Sequence, residues 1–176
     1  MRKLTLLRHA KSSWSDSAKA DIDRPLAPRG HRAALEIGDY MERHRIFPDF
    51  ILCSPARRTR ETLAQIRSFL TSGTEIKVEP SVYSAGLGSG LIAYLRGLSP
   101  DYAHVMIIGH NPTMQHMALD LAAPKPDNGY SEMGRKFPSA GLAHIEFDID
   151  GWRSLADRGQ LVHFVTPKRL EAKKRA

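Results

Sequence analysis

Short apolar stretches alternate along this chain with segments in which apolar residues recur every three or four positions. Four short segments predict buried or half-buried strands, namely 4–7, 50–53, 76–78 and 105–108. Four periodic segments predict amphipathic helices, namely 30–44, 57–70, 91–98 and 114–121. Two more apolar stretches, 142–147 and 161–165, predict strands with no helix between them.

The order of these elements predicts an α/β fold. Strands that alternate with helices form a mainly parallel sheet covered on both faces, so we expect a three-layer α/β/α domain with about six strands. Because the last two strands lack a connecting helix, one edge of the sheet is expected to be antiparallel. Residues 123–139 predict a long loop without regular structure, of the kind that forms functional lids. We expect one domain over residues 1–167 and a basic, solvated tail over 168–176.

Composition and charge exclude several classes of protein. The 176 residues are 41% hydrophobic, as in a packed globular domain, and no apolar run reaches the length of a membrane span. The net charge of +7 falls to +3 without the last nine residues, so the charge does not indicate a nucleic-acid partner. The single cysteine excludes an internal disulfide, and the early first strand leaves no room for a signal peptide, so we expect a cytoplasmic protein.

Basic residues follow three of the four predicted parallel strands. Arg8 and His9 follow the first strand, Arg57 and Arg58 the second, and His110 the fourth. The carboxyl ends of parallel strands lie along one edge of the sheet, where ligands bind, so these residues are expected to meet in one crevice. Histidines and arginines without a carboxylate in the same turns indicate a phosphoryl pocket.

Three motifs resemble those of the histidine phosphatase superfamily, the phosphoglycerate-mutase-like enzymes. Arg8-His9-Ala10 resembles the signature tripeptide, and residues 54–62 resemble the second motif, in which the arginine four after the serine binds phosphate. That arginine is Arg58 in this chain. Gly-His-Asn-Pro at 109–112 resembles the motif that holds the second histidine, His110. Chain length, the segment 23–26 and small insertions are similar to the SixA-type phosphohistidine phosphatases.

The resemblance implies a metal-independent phosphatase with no cofactor. His9 would be the nucleophile, and Arg8, Arg58 and His110 would stabilise charge on the phosphoryl oxygens. The neighbouring arginines are expected to lower the pKa of His9 and so to favour the neutral nucleophile. Two positions depart from the family pattern. Ala10 replaces a glycine, which is a small change where φ is negative, and Ser15 replaces an asparagine as a candidate substrate contact.

The substrate is predicted from a missing acid. Residues 80–100 contain no Asp or Glu, although ester-cleaving relatives usually place a proton donor there. An acid from elsewhere, such as Asp16, Asp23 or Glu132, remains an alternative. We therefore expect a phosphohistidine protein as the substrate. The alternatives are a small phosphomonoester and a non-catalytic phosphate-binding module. No nucleic-acid or membrane partner is expected, and the oligomeric state stays open.

The other histidines and the cysteine lack a motif. We expect ordinary surface or hydrogen-bonded roles for the histidines, which are His31, His44, His104, His116, His144 and His163. In tyrosine phosphatases a cysteine is followed six residues later by an arginine, but the residue six positions after Cys53 is Thr59. Cys53 is therefore predicted to be a small buried strand residue. Arg57 and Arg60 are expected to be solvated helix residues.

Overall fold

The computed structural model describes residues 1–15, 18–126, 128–156 and 158–175. The strands found in these residues form one mixed sheet in the order β3-β2-β4-β1-β6-β7-β5. The strands are β1 Arg2–Arg8, β2 Phe50–Cys53, β3 Glu75–Val78, β4 His104–Gly109, β5 Ala122–Ala123, β6 Leu142–Phe147 and β7 Gly159–Val165. The helices are α1 Pro28–Arg43, α2 Arg57–Ile66, α3 Ser89–Arg96, α4 Thr113–Leu121, α5 Tyr130–Arg135 and α6 Pro167–Arg175.

The mainly parallel α/β architecture is confirmed, with one difference in where the antiparallel strand lies. β1, β2, β3 and β4 run parallel, so their carboxyl ends share one edge. β6 is antiparallel to both β1 and β7 and lies inside the sheet rather than at its edge. The connection between β6 and β7 holds only a short 3-10 turn, Trp152–Ser154, so the chain reverses direction there instead of crossing over.

Both faces of the sheet are buried, because successive side chains of a strand point to opposite faces. Leu6 of β1 and Ile107 of β4 belong to a core cluster that packs against α3 and α4. Leu7 and Ile108 belong to a second cluster on the other face, which packs against α1 and α2. These two clusters produce the predicted three layers and hold the edge of the sheet rigidly.

Two segments differ from the sequence prediction. The loop predicted over 123–139 contains α5, whose six residues are too few for a visible period, although Met133 is fully buried. The tail predicted from residue 168 is instead helix α6, and Leu170 is buried against the second cluster. Leu170 is one apolar residue in a basic segment, so the sequence shows no helical periodicity of apolar positions. The helix is stabilised by the packing of Leu170 against the core.

No helix of the described residues is both long enough and apolar enough to cross a membrane. Cys53 is buried in β2 as predicted, and burial raises the pKa of its thiol to about 12.

Candidate phosphoryl site

His9 lies directly after β1, and its turn is tied to two neighbouring elements. Its backbone N–H donates to the carbonyl of Gly109 at 3.0 Å, which ties it to the end of β4. The N–H of Ala10 donates to Thr62 Oγ1 at 3.0 Å, which ties the same turn to α2. Ala10 is fully buried and does not have a positive φ, so its methyl group fits without backbone strain. The nucleophile predicted from the sequence therefore has a fixed backbone.

The His9 ring is held in one tautomer and is neutral at physiological pH. Its Nδ1 lies 2.7 Å from the carbonyl oxygen of Ala10, which can only accept, so Nδ1 carries the hydrogen and Nε2 keeps a lone pair. Burial is the largest cause that lowers the pKa of His9, and the hydrogen bond to Ala10 opposes it. Together with the charges of His110, Arg58 and Arg8, burial brings this pKa to about 3. The expected direction is correct, but burial rather than the arginines is its largest cause.

Arg58 and His110 form the second part of the site. Arg58 is buried in the first turn of α2, and its Nη2 donates to His110 Nδ1 at 3.3 Å. His110 Nδ1 therefore accepts, and its Nε2–H donates to Ser54 Oγ at 2.7 Å. Burial and the Arg58 charge lower the pKa of His110 to about 4. The rings of His9 and His110 lie 5.2 Å apart between their centroids.

Asp21 supplies a carboxylate that the sequence prediction did not include. Its Oδ2 accepts hydrogen bonds from Arg58 Nη2 and from the Tyr83 hydroxyl, both at 2.9 Å. Its Oδ1 accepts from Arg24 Nη1 at 2.9 Å, and its backbone carbonyl accepts from Arg58 Nη1. Burial raises the pKa of Asp21, but the hydrogen bonds from Tyr83, Arg58 and Arg24 lower it to about 2. Asp21 is therefore ionised and holds both terminal nitrogens of Arg58.

Arg8 completes the cationic site. Its Nη1 donates to the carbonyl of Phe137 at 2.8 Å, and Asn111 Nδ2 donates to the same carbonyl at 3.0 Å. Its Nε is buried without a hydrogen-bond partner. Burial and the charge of Arg58 lower the pKa of Arg8. Two arginines thus lie close to two neutral histidines, an arrangement suited to an oxyanion with several charged oxygens.

The structure brings together four of the predicted site residues, which are Arg8, His9, Arg58 and His110. Ser15 is exposed, and its hydroxyl pairs with Ser13 Oγ at 2.8 Å, so its proposed substrate contact stays a prediction. Arg57 is an exposed helix residue, as expected, and pairs with Glu61 at 2.7 Å.

Of the three acids suggested by the sequence, the two that the structure describes, Asp23 and Glu132, do not join this group. Glu132 pairs with Arg169 at 3.4 Å. Asp23 is exposed in the 3-10 turn Asp21–Asp23, and Asp16 lies outside the described residues. Asp21 reaches the site instead. It comes from a loop without apolar periodicity, so no pattern in the sequence marks it. Within the described part of the chain, no cluster of three or more potential metal ligands occurs.

The fold and this pocket define an α/β protein with a cationic site suited to a phosphoryl group, and comparisons with known proteins specify its class. Residues 4–88 match the model of the histidine phosphatase superfamily (branch 1). An uncharacterized protein of Mycobacterium tuberculosis is 34% identical over 141 residues, which cover 78% of this chain and 84% of that protein. An uncharacterized chloroplastic protein of Arabidopsis thaliana is 36% identical over 129 residues, which cover 69% of this chain and 59% of the relative.

A solved structure extends the similarity over nearly the whole chain. The Agrobacterium tumefaciens protein, described as a candidate phosphohistidine phosphatase SixA, superposes with a TM-score of 0.79 at 29% identity. The superposition covers 94% of this chain and 98% of that one. The chain belongs to the histidine phosphatase superfamily, and this membership implies a phosphatase with SixA-like structural neighbours.

Proposed function

We propose that this protein is a metal-independent phosphatase that hydrolyses phosphohistidine in a protein through a phospho-His9 intermediate. The Nε2 lone pair of His9 attacks phosphorus, and the P–N bond to the substrate imidazole breaks as the new P–N bond forms. Water then attacks phosphorus, the bond to His9 breaks, and inorganic phosphate leaves. Because both groups exchanged in the first step are imidazoles, that transfer is nearly balanced in energy.

The remaining residues of the site have distinct roles in this proposal. Arg8 and Arg58 bind the equatorial oxygens and stabilise the charge on them in the transition state. His110 lies beside Arg58, and its Nε2–H, which donates to Ser54 Oγ at 2.7 Å, shifts to the same oxygens when the phosphoryl group binds. The Nδ1 hydrogen bond to Ala10 keeps the reactive nitrogen of His9 unprotonated. The arginines provide the positive charge that a metal ion supplies in other phosphatases.

The observation that carries the phosphohistidine assignment is the state of Asp21. Asp21 is the carboxylate bonded to the described site residues, and with a pKa of about 2 it cannot donate a proton near neutral pH. Tyr83, in the loop after β3, donates its hydroxyl hydrogen to Asp21, and its pKa is raised above the ordinary value. An alkoxide leaving group needs a proton donor, whereas an imidazole is far less basic and leaves without one. The candidate SixA assignment of the Agrobacterium protein supports the same substrate class.

A hydrolysis panel with EDTA present throughout tests this proposal. It compares free phosphohistidine, a phosphohistidine peptide, a phosphoserine peptide and a sugar phosphate. We expect kcat/KM for the phosphohistidine substrates to exceed that for the esters by at least about 10²-fold, because the acid contribution is missing for the esters. Equal hydrolysis of an alkyl ester would favour a small-molecule phosphomonoesterase. Absence of turnover with retained phosphate binding would favour a non-catalytic module.

A further inference from the structure

A basic cavity adjoins the phosphoryl site through Arg8. It has a volume of about 420 Å³. Its charged lining residues come from four segments of the chain. They are Arg8 and Lys11 at and after the end of β1, Arg29 of α1, Lys136 after α5 and Glu171 of α6. A substrate whose phosphoryl group contacts Arg8 would therefore place its neighbouring atoms at this cavity.

Three cations of this cavity have no partner carboxylate among the residues that the structure describes. Lys11, Arg29 and Lys136 form no ion pair with any carboxylate in the described ranges, and Glu171 lines the cavity without pairing with them. Several carboxylates elsewhere are paired with other cations, for example Glu61 with Arg57 and Glu79 with Lys77. Unpaired like charges that converge on one cavity repel one another, and an anionic ligand would relieve that repulsion.

A second cavity of about 420 Å³ continues the same surface. It shares Lys136 and Pro138 with the first and adds Arg135 and Lys168, while its carboxylate, Glu132, pairs with Arg169. We call the two cavities together the basic groove, with cations Lys11, Arg29, Arg135, Lys136 and Lys168. The basic groove therefore extends from Arg8, at the phosphoryl site, to Lys168 of α6.

We propose that the basic groove binds acidic side chains that flank the phosphohistidine on a protein substrate. This inference rests on the proposed function and adds the feature that selects the substrate. Arg29, Arg135, Lys136 and Lys168 are exposed, and exposed charges steer and align a macromolecular partner more than they grip a small ligand. A small-molecule pocket is instead largely apolar, with a few buried polar groups.

The test uses two phosphohistidine peptides of equal length. In one the residues flanking the phosphohistidine are Asp and Glu, and in the other they are Asn and Gln. Free phosphohistidine is the third substrate. We expect the wild-type enzyme to prefer the acidic peptide by at least about tenfold in kcat/KM at low salt, with the preference declining as NaCl is raised.

The triple variant R29E/K136E/K168E should remove this preference, while Arg153→Glu serves as the matched control. Arg153 is exposed in the turn between β6 and β7, at the opposite end of the sheet. We expect the acidic-to-amide ratio to fall by about tenfold in the triple variant and to stay within about twofold of wild type in R153E. Circular dichroism would verify that both variants are folded.

The outcomes separate the two proposals. Hydrolysis of free phosphohistidine with equal rates for the two peptides would overturn the groove assignment and leave the proposed function intact. Stronger preference for a bisphosphorylated sugar than for the acidic peptide would also overturn it, in favour of a small anionic ligand. Failure to hydrolyse any of the three phosphohistidine substrates would overturn the proposed function, and the groove assignment with it.

Discussion

Two pairs of neighbouring histidines lie at different ends of β4, and their surroundings give them different chemistry. His9 and His110 follow the carboxyl ends of β1 and β4, whereas His104 begins β4 and His144 lies in β6. The rings of His9 and His110 are 5.2 Å apart, and those of His104 and His144 are 5.1 Å apart. Burial lowers the pKa of His104 to about 3 and that of His144 to about 4, as it lowers those of the first pair. By burial and by pKa the two pairs are nearly the same.

Hydrogen bonding separates the pairs. Thr5 Oγ1 lies 2.8 Å from both His104 Nε2 and His144 Nδ1, so one hydroxyl donates to one ring and accepts from the other. His9 Nε2 has no such partner among the described residues, and the arginines lie nearby. A lowered histidine pKa alone therefore does not identify a nucleophile. Our proposal of His9 as the nucleophile depends on the lone pair left free beside the arginines.

The largest expected effect is the loss of turnover when His9, the proposed nucleophile of the first pair, is replaced. His9→Ala should abolish turnover, because no other described side chain of the site offers an imidazole nitrogen with a free lone pair. His104→Ala should reduce stability but keep kcat of the folded enzyme within about threefold of wild type, because its ring only contacts Thr5 and its neighbours in the core. Steady-state hydrolysis of free phosphohistidine measures both. Loss of turnover in folded H104A would mean that the second pair takes part in catalysis.

The next largest effect concerns Arg58 and His110, the two groups beside His9 that are proposed to bind the phosphoryl oxygens. Arg58→Ala and His110→Ala should each lower kcat by about 10²–10³, because each removes a fixed group that stabilises the transition-state charge. Arg57→Ala is the matched control, since Arg57 is the adjacent residue but is exposed and paired with Glu61. Its kcat should remain within about twofold of wild type. A deficit in R57A comparable to that in R58A would assign the wrong arginine to the site.

The pH dependence of stability should not distinguish the two pairs. A histidine whose folded pKa lies below its unfolded value of about 6.5 binds more protons when unfolded, so the free energy of unfolding falls as pH drops below about 6.5. For His104 and His144 this loss should amount to about 1–2 kcal/mol each between pH 7 and pH 5. Urea unfolding at several pH values measures it. Replacing any one of the four histidines with Asn should flatten the dependence.

The pH dependence of activity should report the ionisation of His9, the histidine proposed to react. The free enzyme needs neutral His9, whose pKa is about 3, so kcat/KM should show no decline from ionisation of His9 between pH 8 and pH 5. The measurement uses an acid-stable phosphate donor. An acidic limb centred near pH 6.5 that persists in H104N and H144N would show that His9 has an ordinary pKa.

The smallest expected effect concerns Asp21, the carboxylate that occupies Arg58. Asp21→Asn should tighten inhibition by inorganic phosphate about two- to fivefold, because a neutral amide competes less strongly for the Arg58 guanidinium than the half-exposed Asp21 carboxylate does. Asp23→Asn is the matched control, since Asp23 is exposed in the same turn. Weaker phosphate binding in D21N would show that Asp21 positions Arg58 rather than competes for it.

Sequence reasoning predicted the parts of the site that strands position. Arg8, His9 and His110 follow apolar stretches at the ends of β1 and β4, so their convergence follows from parallel topology. Asp21 and Tyr83 belong to loops, where no periodicity relates sequence to position, and their contact spans 62 residues. Helix α6 was missed for a related reason, because its packing depends on one leucine, Leu170.

The central claim is that His9 Nε2 forms the covalent bond to phosphorus, and trapping the intermediate tests it most directly. The enzyme is mixed with phosphohistidine peptide, quenched in alkali within milliseconds, digested and analysed by mass spectrometry. The account predicts a phosphorylated peptide carrying the group on His9 in wild type, none in H9A, and none on His104 or His144. Turnover of the peptide by the wild-type enzyme with no phosphorylated His9 peptide at any quench time, or turnover at the wild-type rate in H9A, would contradict it.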